Sequence, residues 1–199
     1  MPSISDFTWL NQQQQNAFDI DGYIQYNGGF AGSFEINCLL QNIPNIPFTA
    51  TARIHSLTAI QDGYQKDRYG LVLRQSGGLV SSGEGRLISF NLALDGYHDG
   101  YQTPALKITK HINEFSIPGV DYISIYNDAY SNIEWFKIID DGTDLHFSAS
   151  TDGITYFDVF EIDRKDFLLM GESQIGFGGI GSLSVNNTAK FWLIDWLVV

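Results

Sequence analysis

Short runs of strictly alternating apolar and polar residues constrain the fold of this chain more than any other feature. FTATARIHS (residues 48–56) has an apolar residue at every second position, and the same period of two recurs in RLISFNLAL (86–94) and ALKITKHI (105–112). A period of two places the apolar side chains on one face of a β-strand. No window keeps a helical period for three turns, and only RKDFLLMGES (164–173) is compatible with a single helical turn. The pattern therefore predicts an all-β chain.

Further segments carry the same strand signals, with clusters of Gly, Asp, Asn and Pro between them. They are residues 18–26, 33–40, 69–75, 122–126, 135–139, 145–150, 155–163, 174–178 and 190–199. Many short strands separated by turn residues are typical of an antiparallel sandwich. The last segment is apolar on both faces, with Trp192, Ile194 and Trp196 opposite Leu193 and Leu197. It therefore predicts a strand in the interior of a sheet.

Length and charge limit the classes of function. A chain of 199 residues can bury one sizeable core, so we expect one domain over residues 1–199. The net charge of −12 repels phosphate backbones and anionic membranes, which argues against binding to nucleic acid.

No apolar run is long enough to span a bilayer as a helix, so we expect no membrane insertion. Cys38 is the only cysteine, which excludes an internal disulfide, and its apolar surroundings predict a buried position.

DDGTDLHFSASTDGITYF (residues 140–157) contains two Asp-Gly pairs that admit several interpretations. Asp-Gly accommodates the positive φ of tight turns, so two turns around a strand are the favoured interpretation. Oxygens of Asp140, Asp141 and Asp144, or of Asp19 and Asp21, could instead hold a structural calcium ion. None of them follows the calcium-loop spacing, and no histidine pair has metal-ligand spacing. We therefore expect no metal site and no cofactor, with calcium left open as the alternative.

Several segments, in order along the chain, resemble a family of bacteriophage and prophage virion domains. They are DFTWLNQ (6–12), YGLVLRQSGG (69–78), LISFNLAL (87–94), residues 135–168 and QIGFGG (174–179). That family is similar to the concanavalin A-like lectin/glucanase superfamily. The resemblance covers nearly the whole chain and implies an all-β, antiparallel two-sheet jelly-roll sandwich. Because this superfamily includes lectins, glycan hydrolases and structural parts of virions, the fold alone does not select a function.

Three segments between strands combine tyrosines with polar side chains, and we predict them to be loops. They are DGYHDGYQTP (95–104), DGYQKDRY (62–69) and NDAYSN (127–132). Proteins commonly hold sugars by an aromatic face and by hydrogen bonds from carboxylates and amides. The candidate carbohydrate-binding residues are Asp95, Tyr97, His98, Asp99, Tyr101, Tyr64, Arg68 and Tyr130. The alternative is that these tyrosines cover the edge of the core or contact a neighbouring subunit.

EIDRKD (residues 161–166) is the segment that most resembles a catalytic motif. Glucanases of the superfamily carry Glu-x-Asp followed by a second Glu, which supplies the two carboxyl groups that retaining hydrolysis requires. Glu161 and Asp163 match that pattern, but Asp166 stands where the second Glu belongs and has a shorter reach. Surface charge at the end of a strand is the favoured interpretation, and we predict no catalytic residues.

The resemblance implies a non-enzymatic structural protein on the surface of a phage particle, in the tail, a fibre or a head decoration. We expect it to bind a host-surface glycan or other virion proteins. We also expect a homo-oligomer, and a trimer would suit a fibre or capsid position. Two alternatives stay open at this point. One is a decoration or cement subunit that binds no glycan, and the other is a glycan hydrolase.

Overall fold

A computed structural model of the chain describes most of its residues. The described ranges are 2–10, 16–27, 36–43, 45–57, 68–75, 85–98, 101–112, 120–168, 174–180 and 190–199, and for 94–98, 101, 102 and 180 the description covers the backbone only. In these ranges no helix is long and apolar enough to cross a membrane.

The described residues form fourteen strands and two short 3-10 helices, at Ile4–Asp6 and Asp128–Asn132. The strands are β1 (Thr8–Leu10), β2 (Asn16–Ile20), β3 (Tyr23–Asn27), β4 (Ile36–Asn42), β5 (Phe48–Ser56), β6 (Arg68–Arg74), β7 (Leu87–His98), β8 (Tyr101–His111), β9 (Val120–Tyr126), β10 (Trp135–Asp140), β11 (Asp144–Ser150), β12 (Phe157–Asp163), β13 (Gln174–Ile180) and β14 (Lys190–Val198).

The strands form two antiparallel sheets of seven strands each. Sheet A has the order β1-β4-β13-β6-β7-β8-β9, and sheet B has the order β12-β11-β10-β5-β14-β3-β2. Six of the twelve neighbouring pairs among the described strands join strands that are consecutive in the chain, whereas others, such as β13 with β6 and β5 with β14, join strands far apart in sequence. This arrangement confirms the prediction of an all-β, antiparallel two-sheet sandwich.

The core lies between the two sheets and is rich in aromatic residues. Phe90 of sheet A meets Phe136 and Phe147 of sheet B edge to face, at centroid distances of 5.4 and 5.7 Å. Phe191 stacks on Tyr26 within sheet B at 4.5 Å and contacts Phe177 of sheet A. Edge-to-face rings add favourable quadrupole contacts to the free energy gained by burying apolar area. These contacts fix the two sheets against each other.

Alternation in the sequence translates directly into burial on β5. Phe48, Ala50, Ala52 and Ile54 are buried, and the residues between them are half-buried. Successive side chains of a strand point to opposite faces, so one face of β5 packs on the core and the other faces outward. The period-two prediction for this strand is confirmed.

The turns predicted from the two Asp-Gly pairs are confirmed. Gly142 and Gly153 have φ of +97° and +73°, and they follow β10 and β11 in the β10-β11-β12 meander. Asp141 Oδ1 accepts the backbone N–H groups of Thr143 and Asp144 at 2.8 Å each. Asp152 Oδ1 accepts those of residues 154 and 155 in the same way. Each aspartate therefore stabilises the turn in which it lies.

Several predicted segments differ from the structure. Residues 18–26 were expected to form one strand, but Asp21 and Gly22 both have positive φ and divide the region into the β2–β3 hairpin. The predicted loop 95–104 is largely strand, because β7 runs to His98 and β8 begins at Tyr101. The predicted loop 127–132 contains a 3-10 helix. Residues 164–168 form turns and bends rather than a helical turn, and 169–173 lie outside the described ranges.

Strand β14 occupies the interior of sheet B between β5 and β3, as its apolar character predicts. The expected strict alternation along it is wrong, because the pairing with β5 shifts register between Leu193 and Asp195. A bulge adds one residue to one strand, so the side chains that follow it point to the opposite face of the sheet. Trp196 consequently faces the core, where it contacts Phe7 and Phe177, while Leu197 faces outward.

Candidate functional site

Only part of the predicted carbohydrate-binding set falls within the described side chains. Tyr64 and Asp99 lie outside the described residues, and Asp95, Tyr97, His98 and Tyr101 are described by their backbone alone. In that backbone Tyr97 pairs with Gln102, and His98 pairs with Tyr101, as the arms of one hairpin. Arg68 and Tyr130 are the two members with described side chains.

The fold brings the candidate segments to one end of the sandwich. Arg68 begins β6 and pairs with Ala93, just before the β7–β8 hairpin extends beyond the sheet. The backbone N–H of Asn127, at the start of the second 3-10 helix, donates to the carbonyl of Pro104 at 3.0 Å. The segment after β9 and the segment before the main part of β8 therefore lie side by side.

Tyr130 packs against the protein rather than projecting freely. Its ring stacks on Phe157 at a centroid distance of 5.9 Å and an interplanar angle of 14°, and it is half-buried against the main core. One face of the ring is thus covered by the protein. This matches the alternative interpretation that tyrosines of these segments cover the edge of the core.

Sheet A carries a set of polar side chains on the face turned away from sheet B. We call these residues the outer polar cluster: Ser89, Asn91, Lys107, Thr109, His111, Asp121 and Ser124. They lie on β7, β8 and β9 and alternate with core residues such as Phe90 and Ile108. Most of them are buried, which is unusual for polar residues on the outer face of a sheet.

Asp121 is the hub of this cluster. Its Oδ1 accepts the hydroxyl of Thr109 at 2.6 Å, and its Oδ2 accepts the hydroxyl of Ser124 at 2.8 Å. The ammonium of Lys107 lies 3.9 Å from the same Oδ2. A register shift between β8 and β9 places Asp121 of β9 opposite Thr109 of β8. Its carboxylate therefore has hydrogen-bond partners on both strands. Asp121 is itself exposed, so a carboxylate with a fixed orientation faces solvent at the sheet edge.

Asn91 has an unused hydrogen-bond donor beside this hub. Its side chain is 1% exposed, and its Nδ2 has no hydrogen-bond partner in the described part of the chain. It pairs across the sheet with Lys107 on one side and with Gly70 on the other. Burying an unpaired amide donor costs about 1–3 kcal/mol, so such a group calls for a functional explanation.

Tyr126 borders the cluster with an aromatic ring that is 40% exposed. The ammonium of Lys107 lies 5.8 Å from the centre of that ring, within the range of a cation–π contact. Ser89 and His111 extend the cluster on the far side through a 3.0 Å hydrogen bond between Oγ and Nε2. The exposed carboxylate of Asp121 and the exposed ring of Tyr126 are the kinds of group that bind a polyhydroxylated ligand.

Sequence reasoning missed the outer polar cluster, although its signal was present. The strands of residues 86–94 and 105–112 alternate as predicted, and their polar positions were expected simply to face solvent. Burial of Asn91, Lys107 and Thr109 on that face depends on the rest of the fold, which periodicity does not reveal.

The three carboxylates of the glucanase-like segment are engaged separately. Glu161 lies 3.2 Å from His146 Nδ1, and its side chain is 65% exposed. Asp163 Oδ1 accepts the backbone N–H of Lys165, and Asp166 Oδ2 accepts the hydroxyl of Tyr122 at 2.6 Å. Burial, and then the bond to Asp166, raises the pKa of that tyrosine.

The proposed calcium ligands also have protein partners. Asp140 is fully buried and lies 3.0 Å from Arg164 Nε, and Asp19 accepts from Ser3 and from the backbone of Ile4. In the ranges that the structure covers, no three His, Cys, Asp or Glu residues are grouped so as to hold a metal ion.

Solved structures similar to this chain include lectins, GH43 proteins and a CBM2 module of a phage Dit. The CBM2 module of the evolved Dit of Lactobacillus casei BL23 phage J-1 matches with a TM-score of 0.61 and 9% identity, over 98% of this chain and 89% of that one. A legume lectin-like domain from Entamoeba histolytica matches with a TM-score of 0.59 and 12% identity, over 98% and 90%. At such identities the similarity establishes a lectin-like, concanavalin-like fold.

The GH43 protein BlXynB from Bacillus licheniformis shares the fold with a TM-score of 0.59 and 10% identity over 89% of this chain. The match spans only 32% of that protein. No protein-family model and no curated protein sequence matches the chain.

Proposed function

We propose that this protein is a non-enzymatic, carbohydrate-binding structural component of a phage particle. The glycan would lie on the outer face of sheet A, against Asp121, Lys107 and Tyr126, and extend toward the β7–β8 hairpin. The observation that carries the proposal is the exposed carboxylate of Asp121, held in one orientation by Thr109 and Ser124, with the exposed ring of Tyr126 nearby.

The lectin-like fold supports the ligand class, and one similar structure comes from a phage protein. A polar cluster of this composition offers donors and acceptors at fixed positions, as sugar hydroxyls require. Binding energy from such a site is modest, because each hydrogen bond replaces one to water. Several copies on a particle would raise the avidity without a new contact.

A glycan array, followed by titration of the best ligand, tests the proposal. We expect Asp121→Asn and Tyr126→Ala each to weaken binding by about tenfold or more, which corresponds to about 1.4 kcal/mol. Asp158→Asn is the matched control, because Asp158 is an exposed strand carboxylate on sheet B. Failure of the wild-type protein to bind any arrayed glycan, with the fold intact by circular dichroism, would overturn the proposal.

A purely structural role as a decoration or cement subunit is the second candidate. Ile112 directly follows β8 and Val120 begins the neighbouring strand β9, and each is 63% exposed. An exposed apolar pair of this kind would suit a contact between subunits. Analytical ultracentrifugation of Ile112→Asp is the test, since a charged side chain at a subunit contact would yield monomers.

A further inference from the structure

A groove crosses the outer face of sheet B, on the opposite side of the molecule from the outer polar cluster. Its volume is about 400 Å³, and its lining residues are Thr51, Trp135, Gly153, Tyr156, Asp195, Leu197 and Trp196, whose side chain is itself turned toward the core. This volume falls within the range of sites that bind small molecules. The groove therefore has room for a ligand of one or a few rings.

The connection between β11 and β12 forms one wall of the groove. Residue 153 favours glycine, because its φ is positive and an added Cβ would lie 2.5 Å from the Trp135 indole ring. Ser150 Oγ accepts the backbone N–H groups of Asp152 and Gly153, which holds this connection over the sheet. Tyr156 lies at its end, with the ammonium of Lys137 3.9 Å from the ring centre. Two aromatic side chains are thereby fixed at one side of the groove.

Strand β14 forms the opposite wall of the groove. The register shift within β14 determines which of its side chains face the groove. After the shift Asp195 pairs with Arg53, and Leu197, which is 56% exposed, pairs with Thr51. The guanidinium of Arg53 lies 2.9 Å from Glu134 and over the Trp135 ring. A carboxylate, a hydroxyl and an apolar side chain therefore face the two aromatic rings.

The polar groups along the groove are not engaged by other side chains in the described ranges. Within the described residues, neither the Asp195 carboxylate, the Thr51 hydroxyl, the Trp135 indole N–H nor the Tyr156 hydroxyl forms a side-chain hydrogen bond or ion pair. The other two core-strand tryptophans differ, since Trp192 and Trp196 donate to Gln25 and Gln41. Burial, and then the charge of Asp152, raises the pKa of Tyr156, so its hydroxyl keeps its proton at neutral pH.

We propose that this groove is a second saccharide-binding site, which takes a pyranose ring between Trp135 and Tyr156 on one side and Asp195 and Thr51 on the other. An aromatic wall opposite a carboxylate matches the two surfaces of a sugar ring, one apolar and one polar. A protein partner would instead favour a flat apolar surface, whereas these groups line a concave space. This inference rests on the proposed function for its class of ligand, but the groove shares no residue with the outer polar cluster of sheet A.

The experiment is a titration of the protein with uncharged pyranose oligosaccharides, such as cello-, xylo- and chito-oligomers, followed by the indole N–H resonances in an NMR spectrum. Trp135→Phe identifies the Trp135 signal among the tryptophans. We expect that signal to shift on titration, and Tyr156→Ala and Asp195→Asn each to weaken the interaction by about tenfold. Ile154→Ala is the control, because Ile154 lies in the same connection but is 86% exposed and does not line the groove.

The outcomes separate this site from the one on sheet A. If Asp121→Asn abolishes binding on the array while the Trp135 shift persists, the groove proposal holds on its own. If no oligosaccharide moves the Trp135 signal at millimolar concentration, the groove proposal is overturned and the sheet A proposal is unaffected. A Trp135 signal that instead changes with protein concentration would assign the groove to contact between copies, which also overturns it.

Discussion

Single residues at the turns of the β10-β11-β12 meander hold its geometry. Gly142 and Gly153 both have positive φ, yet their surroundings differ. A Cβ at Gly142 would meet no atom within 4 Å, whereas a Cβ at Gly153 would press on the Trp135 ring. The two glycines therefore separate a backbone requirement from a packing requirement.

Replacing each glycine by alanine measures those two requirements. Gly142→Ala adds only backbone strain, which costs about 1–3 kcal/mol in the free energy of unfolding. Gly153→Ala adds displacement of the indole ring, and we expect a loss larger by at least about 1 kcal/mol. Urea unfolding of the two variants checks this. Equal losses would show that Trp135 moves away without cost.

Asp141 gives a residue-scale pH dependence. Hydrogen bonds from the backbone of Asp144 and Thr143, and then from His146, lower the pKa of Asp141 from 3.8 to about 2. A carboxyl with a depressed pKa stabilises the fold above its unfolded value and loses that contribution as pH falls. We expect the melting temperature of the wild type to fall more steeply than that of Asp141→Asn between pH 4 and 2. Parallel curves would contradict the assignment.

His146, which lies beside Asp141, contributes to stability with the opposite dependence on pH. The hydrogen bond to Asp141 and the nearby carboxylates raise the pKa of His146 above 6.5. A raised pKa stabilises the fold below the unfolded value, and this contribution disappears as pH rises through the folded pKa. We expect His146→Gln to flatten the decline of the melting temperature above pH 6.5, measured by differential scanning calorimetry. A variant that keeps the wild-type slope would contradict this.

At the scale of elements, period-two patterns predicted strand identity well and strand ends poorly. β5 matches its predicted bounds because alternation and burial coincide along its whole length. The β2–β3 hairpin was missed because Asp21 and Gly22 interrupt the pattern without changing its period. β7 was predicted to end at Leu94 because Asp95 and Gly96 are typical turn residues, but its pairing with β8 continues past a register shift. Cross-strand pairing, which a local pattern does not contain, decides these ends.

The sequence predicted only the approximate location of the candidate site, not its residues. Tyrosine- and aspartate-rich composition pointed to the end of the sandwich where Arg68, the β7–β8 hairpin and the second 3-10 helix meet. The outer polar cluster and the groove were not predictable, because each combines residues from strands distant in sequence. Thr51, Trp135 and Asp195 become neighbours only through the strand order of sheet B.

Strand β13 provides an element-scale prediction. A Cβ at Gly176 would overlap the carbonyl oxygen of Leu39 on the neighbouring strand β4. Gly176→Ala must therefore separate β13 from β4, and we expect a loss of at least about 2 kcal/mol in the free energy of unfolding. Chemical denaturation checks this, with Ala149→Gly as a control that weakens a strand without forcing it apart. A loss no larger than that of the control would contradict the expectation.

At the scale of the molecule, the net charge of −12 acts on every ligand that approaches. Such a surface repels polyanions at a distance and leaves neutral ligands unaffected. We expect neutral oligosaccharides to bind with an affinity that does not change between 50 mM and 500 mM salt, about a tenfold range that would expose any ionic contribution. Sulfated or uronic-acid polymers should bind more weakly, and calorimetry at both salt concentrations would reveal a preference for them.

The position of β14 also affects how the protein reaches its fold during synthesis. β14 pairs with β3 and β5, which the ribosome makes more than a hundred residues earlier, as register partners such as Trp192 with Gln25 show. Until residues 190–198 emerge, both older strands have an open edge where the sheet is later continuous. Exposed strand edges recruit other chains, so the nascent protein passes through a stage vulnerable to aggregation. Chaperones that cover open strand edges would give the greatest protection in that interval.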